Sequence, residues 1–199
     1  MTAVTRGLVA RYRGCVTTAA DLEALALLRR RDPRGFDLAH AAYAGPLLGF
    51  LTRLSGDRHL AEDLVQHVFL RLAERGPELA RDSDLRGWLY AVARNAYLSQ
   101  VRRARLAADE TPLEALALPT PEVEARLLLG DVERALGALR LEDREVLLLV
   151  AEDLERDAIA RLLGIDGAAL RQRLSRARSR LLAELERAPA PLATVRNRP

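Results

Sequence analysis

The sequence predicts an all-α protein made of two small helical domains joined by a flexible acidic linker, and three observations predict it. Leu, Ala and Arg dominate the 199 residues, 49% are hydrophobic and only 4% aromatic, a composition suited to packed helices and not to sheets. Apolar residues recur at three- and four-residue spacing over most of the chain. A proline-bearing acidic stretch, ADETPLEALALPTP, breaks that periodicity near the middle.

The elements follow in order. Residues 1–20 form an N-terminal extension with no clear pattern. A first helix begins near Asp21, carries Leu22, Leu25, Ala26 and Leu28 on one stripe, and ends at the Asp32-Pro33 breaker. A second, from about Gly35, carries Phe36, Ala39, Tyr43, Leu47, Phe50, Leu51 and Leu54, takes a kink at Gly45-Pro46 and stops at Ser55-Gly56-Asp57. The third spans His59 to Arg75 with Leu60, Leu64, Val68 and Leu72 inward, and Gly76-Pro77 ends it. After a polar stretch closing on Asp82-Ser83-Asp84, a fourth helix runs from Leu85 to about Arg105, its inner face Leu85, Trp88, Leu89, Val92 and Ala96 with Leu98 or Val101. These four make a compact unit over residues 21–106. The linker occupies 107–121. A second domain, 122–187, holds four more helices: Glu122 to Leu139, Glu142 to about Asp153, Glu155 to Leu163 and Gly167 to Arg187. Residues 188–199 read as a disordered tail.

Several function classes are excluded by composition. The single cysteine, Cys15, can form neither an internal disulfide nor a thiolate metal site, which fits a reducing cytoplasm. Apolar runs such as Val146–Ala151 are far too short to cross a bilayer, and arginines interrupt the N-terminal stretch where a signal peptide would be apolar, so no membrane insertion is expected. Three scattered histidines and no glycine-rich phosphate loop leave no convergent set of catalytic groups, so we expect neither an enzyme nor a bound cofactor. His59, Asp63 and His67 align along one helix, but over two turns they cannot converge on one metal ion. The net charge is only +3, yet every basic residue is arginine and none is lysine. A GC-rich coding sequence would produce that bias; the planar guanidinium fork also suits phosphate and guanine.

The segment Ala158-Ile159-Ala160-Arg161-Leu162-Leu163-Gly164-Ile165 followed by a second helix has helix-turn-helix spacing. Gly164 supplies the turn, Ile165 fills the angle between the helices and Asp166 caps the second. On that helix Leu170, Leu174, Ala177 and Leu181 must face the core, which turns Arg171, Gln172, Ser175, Arg176 and Ser179 outward and sets Arg173, Arg178 and Arg180 on the flanks. Arginine can grip guanine O6 and N7, and glutamine adenine N6 and N7, so this face suits the major groove. It equally fits an ordinary solvated helix in an arginine-rich protein.

In the first domain, Glu62, Asp63, Gln66 and His67 make a polar edge on the third helix, suited either to solvent or to a basic partner helix. The fourth helix carries Arg94, Asn95, Arg102, Arg103 and Arg105 among Trp88, Tyr90 and Tyr97. Basic residues interleaved with aromatics can hold single-stranded DNA. Trp88 reads as core, with Tyr90 and Tyr97 open.

Two separated stretches, AEDLVQHVFLRL…LRGWLYAVARNAYLSQVRRAR and REVLLLVAEDLERDAIARLLGIDGAALRQRLSRARSRL, together resemble sigma-70 family factors of the extracytoplasmic-function group. The resemblance covers about residues 21–187 and implies a sigma2-like bundle, a linker threaded through polymerase channels, and a sigma4-like helix-turn-helix domain. It implies core RNA polymerase and promoter DNA as partners, with an anti-sigma factor as a common third. Glu62, Asp63, Gln66 and Phe69 fall on core-binding positions, Phe69 supporting the helix from inside. Asn95, with Arg94, Arg102 and Arg103, falls on the minus-ten region, and the loop Gly76 to Asp84 matches one that pockets a flipped base. Arg171, Gln172, Arg173, Ser175 and Arg176 fall on the minus-thirty-five reader. Departures from the family pattern are Ser99 in place of Asp, Arg140 in place of Pro, Glu155 in place of a Ser/Thr cap, and Asp166-Gly167-Ala168-Ala169 in place of Pro-Val-Gly-Thr. The alternative is a free-standing helix-turn-helix regulator that works without polymerase and dimerises to lengthen its site.

Overall fold

The computed structural model describes residues 18–107 and 125–187. Eight α-helices appear among them: α1 (Ala19–Arg29), α2 (Pro33–Ser55), α3 (Arg58–Arg75), α4 (Leu85–Ala107), α5 (Ala125–Ala138), α6 (Leu141–Ala151), α7 (Arg156–Leu163) and α8 (Gly167–Glu186), with one 3-10 turn at Gly76–Glu78. The N-terminal extension up to residue 17, most of the linker and the tail beyond 187 lie outside the described residues, as do residues 122–124 at the expected start of the fifth helix.

Local chemistry sets the boundaries. Thr18 and Asp21 form a capping box at α1: the Thr18 hydroxyl accepts from the Asp21 amide at 3.1 Å, and the Asp21 carboxylate accepts from the Thr18 amide at 3.0 Å. That helix therefore starts inside the stretch expected to be extension. Asp32 caps α2 with Pro33 in its first turn, and Asp57 caps α3. Between α2 and α3, Gly56 takes φ +75°, which a side chain would resist. Gly35 serves a different need: a Cβ there would meet the Leu28 amide nitrogen at 2.6 Å, so only glycine lets α2 cross α1 this closely. Pro46 lies within α2, which runs unbroken from Pro33 to Ser55 through the Gly45-Pro46 pair.

The apolar stripes converge as expected, with one correction. Leu25, Leu28, Tyr43, Leu47, Phe50, Leu54, Leu64, Val68, Leu72, Trp88 and Leu89 are buried. Leu22, placed on the α1 stripe by its spacing, is 46% exposed, because Ala24 takes the inward position and Asp21 is drawn inside by the Tyr43 hydroxyl, which donates to it at 2.5 Å.

The core does not stop at the first bundle. It runs continuously into the second, through Leu136, Leu139, Val146, Leu149, Leu154, Ile159, Leu170, Leu174 and Ala177. Helix α2 contacts α5 and α6, and α4 contacts α7, so the two halves pack against each other. No helix among the described residues is long and apolar enough to cross a membrane.

Candidate nucleic-acid interface

The helix-turn-helix forms as its residues dictate. Gly164, at φ +70°, ends α7 and turns the chain, the Ile165 amide donates back to the Ala160 carbonyl at 3.0 Å, and the Asp166 carboxylate caps α8 by accepting from the Ala169 amide at 2.7 Å. Glu155, which precedes α7, makes no side-chain capping bond, nor does Arg140 before α6. Leu170, Leu174 and Ala177 are buried, Leu181 partly so. This leaves Arg171, Gln172, Ser175, Arg176 and Ser179 exposed and Arg173 half-buried, the outward set expected from the spacing. Among the described residues Arg171, Arg173 and Arg176 have no ion-pair partner, so their guanidinium groups stand ready for an outside acceptor. Arg180, one flank residue, is engaged with the buried Asp143 of α6, which ties the far end of α8 to that helix.

On α3, Asp63 and Gln66 are exposed and Glu62 is half-exposed. Glu62 already pairs with Arg58 at 2.9 Å, leaving Asp63 as the more available carboxylate. His67 shares that edge, and burial together with Arg71 and Arg103 pulls its imidazole below the usual histidine range. Phe69 faces inward: it is buried, with Phe36 edge-on at 5.8 Å and His40 at 4.6 Å. It supports the edge and does not form part of its surface. His59, Asp63 and His67 do not come together, and no group of three metal-binding side chains is found among the described residues.

Helix α4 is divided. Arg102 and Arg103 are exposed near its C-terminal end, and Asn95 is half-buried, its carbonyl accepting from the Ser99 hydroxyl at 2.7 Å. Arg94 points the other way. Its side chain is 18% exposed and its Nε meets Glu145 of α6, itself 4% exposed, at 2.5 Å. The aromatics are also occupied: Trp88, Tyr90 and Tyr97 are all buried, so the two tyrosines left open by the sequence are not free to stack on bases in this conformation. The Tyr90 hydroxyl donates to Glu152 at 2.5 Å, and burial, reinforced by that carboxylate, holds the phenol well above the ordinary tyrosine range. In the loop between α3 and α4, Ser83 is fully buried and its hydroxyl has no partner among the described residues; Asp84 accepts from the Gly87 amide at 2.8 Å and so starts α4.

Sequence reasoning missed the contacts that join the halves, which run between α6 or its end and residues of α2 and α4. Arg144 donates to the carbonyls of Leu136 at 2.8 Å, Gly137 at 2.5 Å and Leu139 at 3.2 Å, closing the C-terminus of α5, and to Leu54 of α2 at 3.0 Å. Two helix C-termini thus share one cation, a favourable placement against both dipoles. Glu152 accepts from Tyr90 and from Arg53 at 2.9 Å, and its own carbonyl lies 3.5 Å from Arg86. Charged residues flanking the apolar run Val146–Ala151 were the one signal available, and spacing alone does not say what they meet.

Comparison with known proteins places these surfaces in a family. Residues 40–106 match the model of Sigma-70 region 2 and residues 129–181 that of Sigma-70, region 4. The chain is 33% identical over 142 residues to the ECF RNA polymerase sigma factor EcfG of Rhodopseudomonas palustris, covering 70% of this chain and 78% of that protein. It is 32% identical over 171 residues to the ECF RNA polymerase sigma factor SigM of Mycobacterium tuberculosis, covering 81% and 83%. A third relative, the probable RNA polymerase sigma factor RfaY of Xanthomonas campestris, is 34% identical over 142 residues, and there the chain spans only 36% of the relative's length. Among solved structures, the sigma factor RpoE bound to the anti-sigma factor NepR from Bartonella quintana superimposes with a TM-score of 0.67 at 28% identity, covering 77% of this chain and 98% of that one. CnrH in complex with the cytosolic domain of CnrY, at 24% identity and a TM-score of 0.66, shares the fold. With Sigma-70 region 2 and region 4 both present in one chain, the chain belongs to the extracytoplasmic-function group of sigma-70 family RNA polymerase sigma factors.

Proposed function

We propose that the chain is an alternative sigma factor: it binds core RNA polymerase and directs initiation at promoters carrying minus-ten and minus-thirty-five elements, working in the cytoplasm by binding and not by catalysis. The observation that carries this reading is the pairing, in one chain, of an outward Arg-Gln-Ser-Arg face on a capped helix-turn-helix with an exposed Asp63–Gln66 edge on a separate bundle. Duplex recognition needs only the first of these. Asp63 and Gln66, with Glu62 beside them, dock the polymerase, and Phe69 keeps that helix edge rigid from below. Asn95, Arg102 and Arg103, joined by Arg94 once it is released, hold the minus-ten strand. Arg171, Gln172 and Arg176 read base edges of the minus-thirty-five element, while Arg173 and Ser175 reach phosphates. An anti-sigma factor, the partner in the Bartonella quintana complex, is a further expected ligand.

Co-elution of the purified chain with core polymerase from its own organism, in competition with the housekeeping factor at moderate salt, tests the reading. The expected result is a stable complex that Asp63→Arg abolishes. A chain that binds duplex DNA but never co-elutes would be a free-standing regulator.

A further inference from the structure

The turn between α1 and α2 carries positive charge that the surfaces described so far do not use. Arg29, Arg30 and Arg31 follow one another at the end of α1, and Arg34 lies in the first turn of α2. Arg34 is held by Asp32 at 2.7 Å, and Arg29 donates to the Leu79 carbonyl at 3.0 Å. Arg30 and Arg31 are exposed and have no ion-pair partner among the described residues. Arg31 also stands where helix ends usually place glycine. Its amide donates to the Leu28 carbonyl at 2.9 Å and the Asp32 amide donates to that of Leu27 at 3.0 Å, a Schellman closure that sets Arg31 at φ +56°. A side chain resists that conformation, so glycine would suit the turn better. A residue held in a disfavoured conformation points to a use for its side chain.

This corner sits against the loop between α3 and α4. Besides the Arg29 contact with Leu79, Gly76 packs so closely on Leu28 that a Cβ there would lie 3.2 Å from its side chain. The loop adds Arg81, exposed and also without an ion-pair partner among the described residues, whereas the nearby Glu78 is taken by Arg75. Helix α4 starts where the loop ends, so at about 1.5 Å per residue Asn95 stands about 15 Å and Arg103 about 27 Å along its axis. A strand laid along α4 from Arg103 past Asn95 arrives at the loop and at the arginine corner fastened to it.

We propose that Arg30, Arg31 and Arg81 form a phosphate-binding track for the single strand that leaves the minus-ten loop, so that the chain holds melted promoter DNA downstream of the minus-ten bases as well as at them. This inference rests on the assignment of Asn95 and of the loop between α3 and α4 to the minus-ten element. Contacts to the backbone carry no sequence information, so the track lengthens the grip on melted DNA without narrowing the choice of promoter. Each guanidinium that displaces counterions from a single-stranded phosphate adds about 0.7 to the salt slope, which is about fivefold in affinity for each tenfold drop in salt.

Holoenzyme assembled from core polymerase and the full chain tests the track on two forked DNAs built from one promoter mapped by run-off transcription. In one fork the single non-template strand ends at the last minus-ten base; in the other it continues through the start site. The parent should bind the longer fork more tightly. Arg31→Gly and Arg81→Ala should each lose about fivefold on the longer fork at about 0.1 M salt, with a salt slope shallower by about 0.7, and should match the parent on the shorter one. Urea unfolding of Arg31→Gly should show a midpoint at or above that of the parent, because the substitution relieves the turn. A lowered midpoint would assign that arginine to the fold and overturn its place in the track. Equal losses on both forks, or no loss on either, would overturn the track itself. So would weaker co-elution of the variants with core polymerase, which would assign these arginines to a protein surface. If the parent holoenzyme binds the shorter fork no better than closed duplex and Asn95→Ala changes neither, the minus-ten assignment falls and the track falls with it.

Discussion

The two faces proposed to meet DNA are built from the same amino acid and presented in opposite ways. On α8, Arg171 and Arg176 stand exposed with no ion-pair partner among the described residues, on a helix whose other side is fixed by Leu170, Leu174 and Ala177. On α4, Arg94 is turned inward onto Glu145 and Tyr90 onto Glu152, while Arg102 and Arg103 remain outside. The difference teaches that arginine content says little about readiness to bind. What decides is whether the fold supplies the carboxylate first. A duplex reader can be permanently exposed because its target is present everywhere as duplex. A single-strand holder has use for its cations only after melting, and withholding them until then limits nonspecific attachment to phosphate.

This contrast can be broken most sharply at Arg94. Arg94→Ala leaves Glu145 enclosed without its cation and should destabilise the protein by about 3 kcal/mol or more in urea unfolding. Arg171→Ala and Arg176→Ala should leave unfolding within about 0.5 kcal/mol of the parent. Their cost belongs to recognition: each should lose about 1 to 3 kcal/mol of discrimination between promoter and scrambled duplex in competition binding, with uniform loss across sequences marking a phosphate contact instead. Tyr90→Phe comes next, removing the hydroxyl donor to Glu152 and costing about 1 to 2 kcal/mol of stability. Asp166→Ala, which strips the α8 cap, should cost about 1 kcal/mol and loosen the recognition helix at its first turn, detectable as faster amide exchange there.

The smallest effect is in pH dependence. Burial, reinforced by Asp21 and Glu152, holds the phenols of Tyr43 and Tyr90 above the ordinary tyrosine range. In the unfolded chain they ionise at about pH 10, as a free tyrosine does. The unfolded state therefore binds fewer protons than the folded state once the pH passes that point, and stability, fully present below it, falls as pH rises further. Urea midpoints followed upward from about pH 9 should decline, and the Tyr43→Phe, Tyr90→Phe double variant should flatten the decline.

Much of the fold was legible because helices advertise themselves through three- and four-residue spacing and strong punctuation. Asp32-Pro33, Gly56-Asp57 and Gly164-Ile165-Asp166 each fall where one helix ends and the next is capped. The outward face of α8 followed from its inward leucines by geometry alone. What spacing could not show was contact between distant segments. Tyr90, Arg94, Glu145 and Glu152 carry polar tips on positions that periodicity assigns to neither face cleanly, and only the meeting of α4 with α6 and its end makes them interior. Leu22 misled for the converse reason: its spacing fits the stripe, but the buried Asp21–Tyr43 hydrogen bond turns α1 so that Ala24 faces in. Phe69, which falls on a core-binding position by motif but was expected to support its helix from inside, is indeed interior, packed against Phe36 and His40.

The most direct test of the central claim is run-off transcription by core polymerase on fragments of the source genome, with and without the purified chain. The account predicts discrete start sites that appear only with the chain, share sequence blocks at minus ten and minus thirty-five, and lose the second block's contribution in Arg171→Ala or Arg176→Ala. Transcripts indistinguishable from those of core polymerase alone would contradict it.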